Sequence, residues 1–231
     1  NPQVEVVVIS ATGTKAGEFT LFCKRLIDEI PLLQPMRPLP KQRSHRWSQY
    51  SFDVRAKDPS PSPSMKAVGI FGQITGSRAD LVLSDDVEIT ENSLTVDSRR
   101  KLLDKITEYD NIWKPEKDEI IYLGTPQSEE SIYDVIKKKK THTGETMYKI
   151  RIWTAQYPEQ LDIYGGNLSP TIYEDIYQGR AKKGDAVDER FDLITLTNKK
   201  LSIGAKKYAL HYMLDTSLVN VDKYALKLKD L

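Results

Sequence analysis

Cysteine is almost missing from this chain. Its 231 residues include only Cys23, so no internal disulfide can form, and a reducing compartment suits the sequence. Cys23 sits among Phe19, Phe22, Leu26 and Ile27 at helical spacing, which predicts a buried, unreactive thiol rather than a nucleophile. Histidine is also scarce. His45, His142 and His211 share no metal-ligand spacing, and no zinc site is implied. No apolar run reaches membrane-spanning length and no signal peptide is recognisable. Neither sign of charge is in excess: 34 basic residues stand against 33 acidic ones, a net charge of +1. Any contact with nucleic acid must therefore come from a local patch. The phosphate-cradling pattern G-x-x-x-x-G-K-[ST] occurs nowhere. Gly13-Thr14-Lys15 follows a strand pattern and opens a helical one, but it has no glycine at the required earlier position and reads as an ordinary strand-to-helix loop.

What is present centres on Leu81 to Glu88, LVLSDDVE. Three consecutive apolar residues without polar alternation suit a strand buried on both faces of a parallel sheet. Ser84 ends the run, and Asp85 and Asp86 follow at its carboxyl end, the edge where open α/β sheets bind ligands. A hard cation such as Mg²⁺ takes carboxylate oxygens together with waters and substrate phosphates. A second acid beside it can orient or deprotonate an attacking water. On this octet alone, a solvated turn and a functional site are equally good readings.

In chain order, Val4 to Ser10 reads as a strand, and a helix is expected from about Lys15 to Ile30 with Thr14 as N-cap. Its apolar face would carry Phe19, Phe22, Leu26, Ile27 and Ile30, and Pro31 would stop it. Pro35 to Arg46 is a basic, proline-rich loop. Tyr50, Phe52 and Val54 alternate as a strand does, DPSPSPS (Asp58 to Ser64) is a surface excursion, and Lys66 to Phe71 is another short strand. After the acids come a helix over Ser98 to Trp113, a strand over Glu119 to Leu123, a helix over Glu129 to Lys139 and a strand over Met147 to Trp153. Strands alternating with helices predict a parallel α/β sheet. Beyond Pro158 the pattern turns to helices and loops, including a turn at Tyr164-Gly165-Gly166-Asn167 and a late amphipathic stretch through Tyr208, Leu210, Tyr212 and Met213. The expected division is residues 1–157 and 158–231. The chain starts with Asn1 almost directly on a strand, and upstream sequence is expected.

A second strand tip carries Gly124, Thr125, Pro126 and Gln127. In a parallel sheet both tips open on one edge. An acid-tipped strand, a helix and a strand with a polar tip is the layout of motor ATPases, in which the acids hold metal and water and the polar tip senses the terminal phosphate. Three segments, ITGSRADLVLSDDVEITENS, IIYLGTPQSEESIYDVI and YALHYMLDTSLVNVDKYALKLKD, resemble the large terminase subunit of tailed double-stranded DNA phages, in its podovirus-like branch. The resemblance begins near VVVISATGTKAGEFTLFCKRLIDEIPLL and is weakest from Arg37 to Ser64.

The resemblance implies a P-loop ATPase core of the ASCE/RecA-like type, incomplete at its N-terminus, with a C-terminal helical and loop subdomain. It implies ATP and Mg²⁺ as cofactors, and double-stranded DNA, a portal protein and a small terminase subunit as partners. The protein would work as a homo-oligomeric ring, without a membrane, in the host cell cytoplasm and transiently on the procapsid portal. The Walker A loop would lie upstream of this sequence and a nuclease domain downstream. By the same likeness Asp85 is the Walker B metal ligand. Asp86 stands where the family usually has a catalytic glutamate, which leaves the water-positioning role open between Asp86 and Glu88. Thr125 and Gln127 are the polar contacts of the coupling motif, and Arg78 is a trans-acting arginine finger.

Three further readings stay open. Lys137 to Lys140 reads as a solvated helix end more readily than as a grip on phosphates. Arg37, Lys41, Arg43, His45, Arg46 and Trp47 interleave charge with an aromatic, a weak nucleic-acid signal. Arg78 can instead pair with Asp80 or Asp85. The alternatives to a packaging motor are a superfamily-2-type helicase, a metal-dependent nuclease using Asp80, Asp85 and Asp86, and a non-catalytic DNA-binding or scaffold module.

Overall fold

The computed structural model describes residues 1–39, 46–112, 119–128 and 130–217. Lys41, Arg43, His45 and the Trp113 end of one expected helix lie outside them. Five strands, β1 (Val6–Ser10), β2 (Ser51–Phe52), β3 (Met65–Gly69), β4 (Leu81–Asp85) and β5 (Glu119–Leu123), form one sheet in the order β2-β3-β1-β4-β5. All neighbours are parallel except β2, which pairs antiparallel with β3. Seven helices accompany them: α1 (Gly13–Glu29), α2 (Thr90–Ser93), α3 (Val96–Thr107), α4 (Ile132–Lys138), α5 (Pro170–Tyr177), α6 (Leu193–Ile203) and α7 (Ala205–His211). No helix among the described residues is long and apolar enough to cross a membrane.

Register brings the strand ends level. Val6 lies opposite Met65 and Leu81, Ser10 opposite Gly69 and Asp85, and Asp85 opposite Leu123. Side chains alternate between faces along each strand. On one face Val6, Val8, Ala67 and Leu83 meet α1 through Ala16 and Phe19. On the other, the Ser84 hydroxyl lies 3.1 Å from the Tyr109 hydroxyl, and Tyr109 stacks on Tyr122 at 6.0 Å between ring centres. Tyr109 belongs to the 3₁₀ turn Glu108–Asn111 that ends α3. Helices thus cover both faces, as a parallel sheet requires. Cover is uneven on β4, where Val82 and Ser84 are fully buried and Leu81 and Leu83 only partly. Ser84 does not end the strand; it is part of it, and Asp85 is the last strand residue.

The step from β1 to α1 is short, just Ala11 and Thr12, and Thr12 rather than Thr14 caps the helix, its hydroxyl accepting from the Lys15 amide at 3.2 Å. Such a connection leaves no loop long enough to wrap a phosphate. A Cβ on Gly69 would come within 2.7 Å of the Gly13 amide nitrogen, so the end of β3 needs glycine where α1 begins. The buried residues of α1 are Ala16, Gly17, Thr20 and Ile27, while Phe22 stays 56% exposed. Of the bulky residues expected on that face, Ile27 is buried and Phe19 packs on the sheet, while Phe22 and Ile30 are exposed. Cys23 is partly buried beside Ile27, Phe52 and Val54, and burial pushes its thiol pKa up, as an inert cysteine requires. The helix expected from Ser98 starts earlier, at Val96, because Thr95 and Ser98 cap each other's backbone amides at 3.1 and 3.0 Å.

The chain divides into two compact units, the first Asn1–Gly124 and the second beginning at Thr125. The boundary by compactness falls directly after β5, and that by sequence pattern at residue 157. The second unit contains α4 to α7, and a core of Tyr157, Tyr164, Leu168 and Ile172 forms in it, with Tyr173 and Ile176 of α5 packed against it. Met147 to Trp153 is not a strand there. Ile152 makes a single bridge to Leu168, with no ladder on either side of it, and Trp153 is 58% exposed. An apolar alternating run becomes a strand only beside a partner of similar length, and Leu168 is preceded by the turn at Gly165 and Gly166, both at positive φ. The helix expected from Glu129 begins at Ile132, capped by the Ser131 hydroxyl.

Candidate functional site

The three neighbouring acids reach three different environments. β4 delivers Asp85 to the carboxyl edge half-buried, while Asp86 is exposed. Asp86 takes a left-handed backbone, φ 43°, a conformation its short polar side chain tolerates better than most. Its amide donates to the Leu123 carbonyl at 3.0 Å, so the tip of β5 holds the turn. The reversal returns Val87 and Glu88 to the interior, with Glu88 1% exposed. Asn92 fixes the backbone on both sides of Glu88, accepting from the Ile89 amide at 2.9 Å and donating to the Val87 carbonyl at 2.8 Å.

Burial, and then the charge of Asp86, push the Asp85 carboxyl above its ordinary range. A cation at this edge would relieve both effects. Among the described residues no group of three metal-ligating side chains gathers anywhere. Asp85 and Asp86 could supply one or two carboxylate oxygens to an ion that completes its shell with water and phosphate oxygens, as Mg²⁺ does.

The chain runs from Leu123, opposite Asp85, through Gly124 into Thr125 and Gln127. The Gln127 side-chain amide donates to the Thr125 carbonyl at 3.2 Å, and Pro126 between them is buried. These residues open the second unit.

Arg78 lies at the opposite edge of the first unit. It precedes β4, whereas Asp85 ends it, and five residues of strand rise about 3.3 Å each. Buried Ile74 and Ala79 anchor its loop, and Gly76 takes a positive φ between them. The ion pair with Asp80 does not form. Asp80 instead accepts from the Glu5 amide at 2.8 Å, and Arg78 makes no ion pair with a described residue. Asp80 and Asp85 also lie at opposite ends of β4, roughly 16 Å apart by the same strand rise. The nuclease reading thereby loses its acid cluster.

The basic stretch from Arg37 to Trp47 is largely structural where it is described. Arg37 pairs with Asp28 at 3.1 Å. The Trp47 ring packs edge-on against Phe52 at 5.4 Å between centres, with the Lys24 ammonium 4.8 Å from it. Lys137 pairs with Asp134 at 2.8 Å on the last turn of α4. What sequence reasoning missed is the company of Arg78. Lys66 and Arg46 line the same cleft; Arg46 belongs to the basic stretch singled out in the sequence, and the signal for Lys66 was a lysine inside an otherwise apolar parallel strand.

One curated relative decides the family. The chain is 37% identical over 236 aligned residues to the "Terminase, large subunit" of Enterobacteria phage T3, an alignment that takes in all of this chain and 39% of that protein. The chain belongs to the large terminase subunit family. No protein-family model matches it. This terminase sequence spans about 39% of the length of the relative it matches. Its five-stranded, mostly parallel sheet flanked by helices is consistent with a terminase ATPase domain.

Proposed function

We propose that this terminase chain is part of an ATP-driven motor that moves double-stranded DNA into a procapsid, in a protein that also cuts DNA. The observation that carries the reading is the Asp85-Asp86 tip of β4, set between β1 and β5 at the carboxyl edge of a parallel sheet. That edge is where such sheets bind ligands. Asp85 would hold Mg²⁺, which when bound neutralises charge on the phosphates of ATP. Asp86, exposed on a fixed turn, and Glu88, buried behind it, are the two candidates for orienting water. Thr125 and Gln127, next along the chain from the tip of β5, would sense loss of the terminal phosphate. Arg78, at the far end of β4, is out of reach of its own strand tip and would act on the nucleotide of a neighbouring subunit in a homo-oligomeric ring. Portal protein and small terminase subunit are the remaining proposed partners, in the host cytoplasm.

The test is ATP turnover by full-length terminase carrying this sequence. Asp85→Ala is expected to lose roughly 10² to 10³-fold in turnover with Mg²⁺, since metal stabilisation of transferring charge is worth several kcal/mol. Circular dichroism should show the fold intact. Near-normal turnover by a folded Asp85→Ala protein overturns the assignment.

A further inference from the structure

A second polar site lies at the amino ends of the same strands. A cleft of about 350 Å³ opens between the start of β1, the start of β3 and the loop before β4. Its lining includes Arg46, Lys66 and Arg78 with the hydroxyl residues Tyr50, Ser51 and Ser62, and among the described residues contains no aspartate or glutamate. Lys66 stands in register with Val7 and Ser51, which turns all three side chains to one face of the sheet. Its ammonium donates to the Ser77 hydroxyl at 2.7 Å, tying β3 to the loop that carries Arg78. Neither Lys66 nor Arg78 has a carboxylate partner among the described residues. Arg46 is held from behind: its Nη2 donates to the Ser60 carbonyl at 3.1 Å. Its buried Nη1 makes no hydrogen bond and lies 3.9 Å from Asp53. Asp53 itself is occupied by the amides of Arg46 and Ser64, at 2.9 and 3.2 Å.

Lys66 and Arg78, neither with a carboxylate partner among the described residues, stand here with Arg46, whose one carboxylate contact is the 3.9 Å approach to Asp53, and with several hydroxyls. Such a set makes an anion site, and the fork geometry of two guanidinium groups suits tetrahedral phosphate oxygens. We propose that this cleft binds a phosphate group, with Lys66 and Arg46 as binding residues alongside Arg78. Two sources supply that chemistry: the backbone of duplex DNA, and the terminal phosphates of a nucleotide held by another copy of the chain. The inference stands on the cleft and survives if the Asp85 edge binds no nucleotide.

The test measures binding of a fluorescent 20-base-pair duplex, and of pyrophosphate by calorimetry, to the 231-residue chain. Lys66→Met and Arg78→Ala are compared with wild type, and Lys101→Met, an exposed lysine on α3, is the control. Arg78 is exposed and makes no ion pair with a described residue, so its variant should melt at the wild-type temperature even if Lys66→Met unfolds. At least one probe is expected to bind and to weaken about ten-fold in each folded cleft variant, as loss of a charge-assisted contact implies, with the control unchanged. Loss confined to the duplex, with a salt slope lower by about 1, assigns DNA backbone phosphate. Loss confined to pyrophosphate assigns a nucleotide. The proposal is overturned if neither probe binds wild type, if Arg78→Ala binds as well as wild type, or if Lys101→Met loses as much as the cleft variants.

Discussion

At the scale of single residues, Asp85 is half-buried at a strand tip while Glu88, three residues on, is fully buried behind it. Asp85 was legible because a run of apolar residues ending in a carboxylate fixes a strand tip. The inward turn of Glu88 was not, since it depends on the left-handed backbone of Asp86 and on the grip of Asn92. Asp85 carries a testable pH dependence. Its folded carboxyl holds a proton to higher pH than the unfolded one does. The folded state thus binds more protons across that interval, and stability falls as pH rises from the ordinary carboxylate range through the raised one. Asp85→Asn should flatten that segment of a melting-temperature profile between pH 4 and 7 and melt higher than wild type at neutral pH. A lower neutral melting point for the variant would contradict it. The Ser84–Tyr109 pair carries a second prediction, since both residues are fully buried. Tyr109→Phe leaves the Ser84 hydroxyl without its partner and should destabilise by about 1–3 kcal/mol in urea denaturation. Adding Ser84→Ala to Tyr109→Phe should recover part of that loss, because no unsatisfied hydroxyl then remains.

Secondary-structure elements were readable where a segment has its own signals and obscure where a neighbour decides. β5 matches the expected bounds, and β1, β3 and β4 match within two residues, because short apolar runs between turn residues need only a sheet to join. Met147 to Trp153 has equal apolar content and fails as a strand for want of a partner ladder. The sequence pattern puts the cap of α1 at Thr14, and the structure places it two residues earlier, at Thr12. Thr12→Ala should cost about 1 kcal/mol of stability, whereas Thr14→Ala, inside the first turn, should stay within about 0.5 kcal/mol. Equal losses by chemical denaturation would return the cap to both residues. The face of α1 was legible in part: Ile27 is buried and Phe19 packs on the sheet as expected, while Phe22 and Ile30 are exposed and the small residues Ala16, Gly17 and Thr20 are buried instead.

For the whole molecule, the topology places the two functional candidates of the first unit at opposite ends of β4, and that arrangement makes a subunit-mixing experiment informative. Asp85 ends the strand at the carboxyl edge, and Arg78 precedes it at the amino edge. Four strand steps alone separate Leu81 from Asp85 by about 13 Å, further than an arginine side chain spans, so Arg78 cannot complete its own Asp85 site without dismantling the sheet. An arginine that serves a phosphoryl group in trans is worth about 10³ to 10⁵ in rate. Full-length terminase with Arg78→Ala and with Asp85→Ala should each lose ATPase activity when assembled alone. In a mixed ring some interfaces bring an intact Asp85 edge against an intact Arg78. Activity should return, rising and then falling as the ratio of the two variants passes through equality. Melting temperatures of the two variants, measured separately, establish that each subunit is folded, and sizing of the mixture establishes that rings form. Absence of recovery at every ratio, with folded subunits and assembled rings, would leave Arg78 without a trans role and restrict it to the cleft it shares with Lys66 and Arg46.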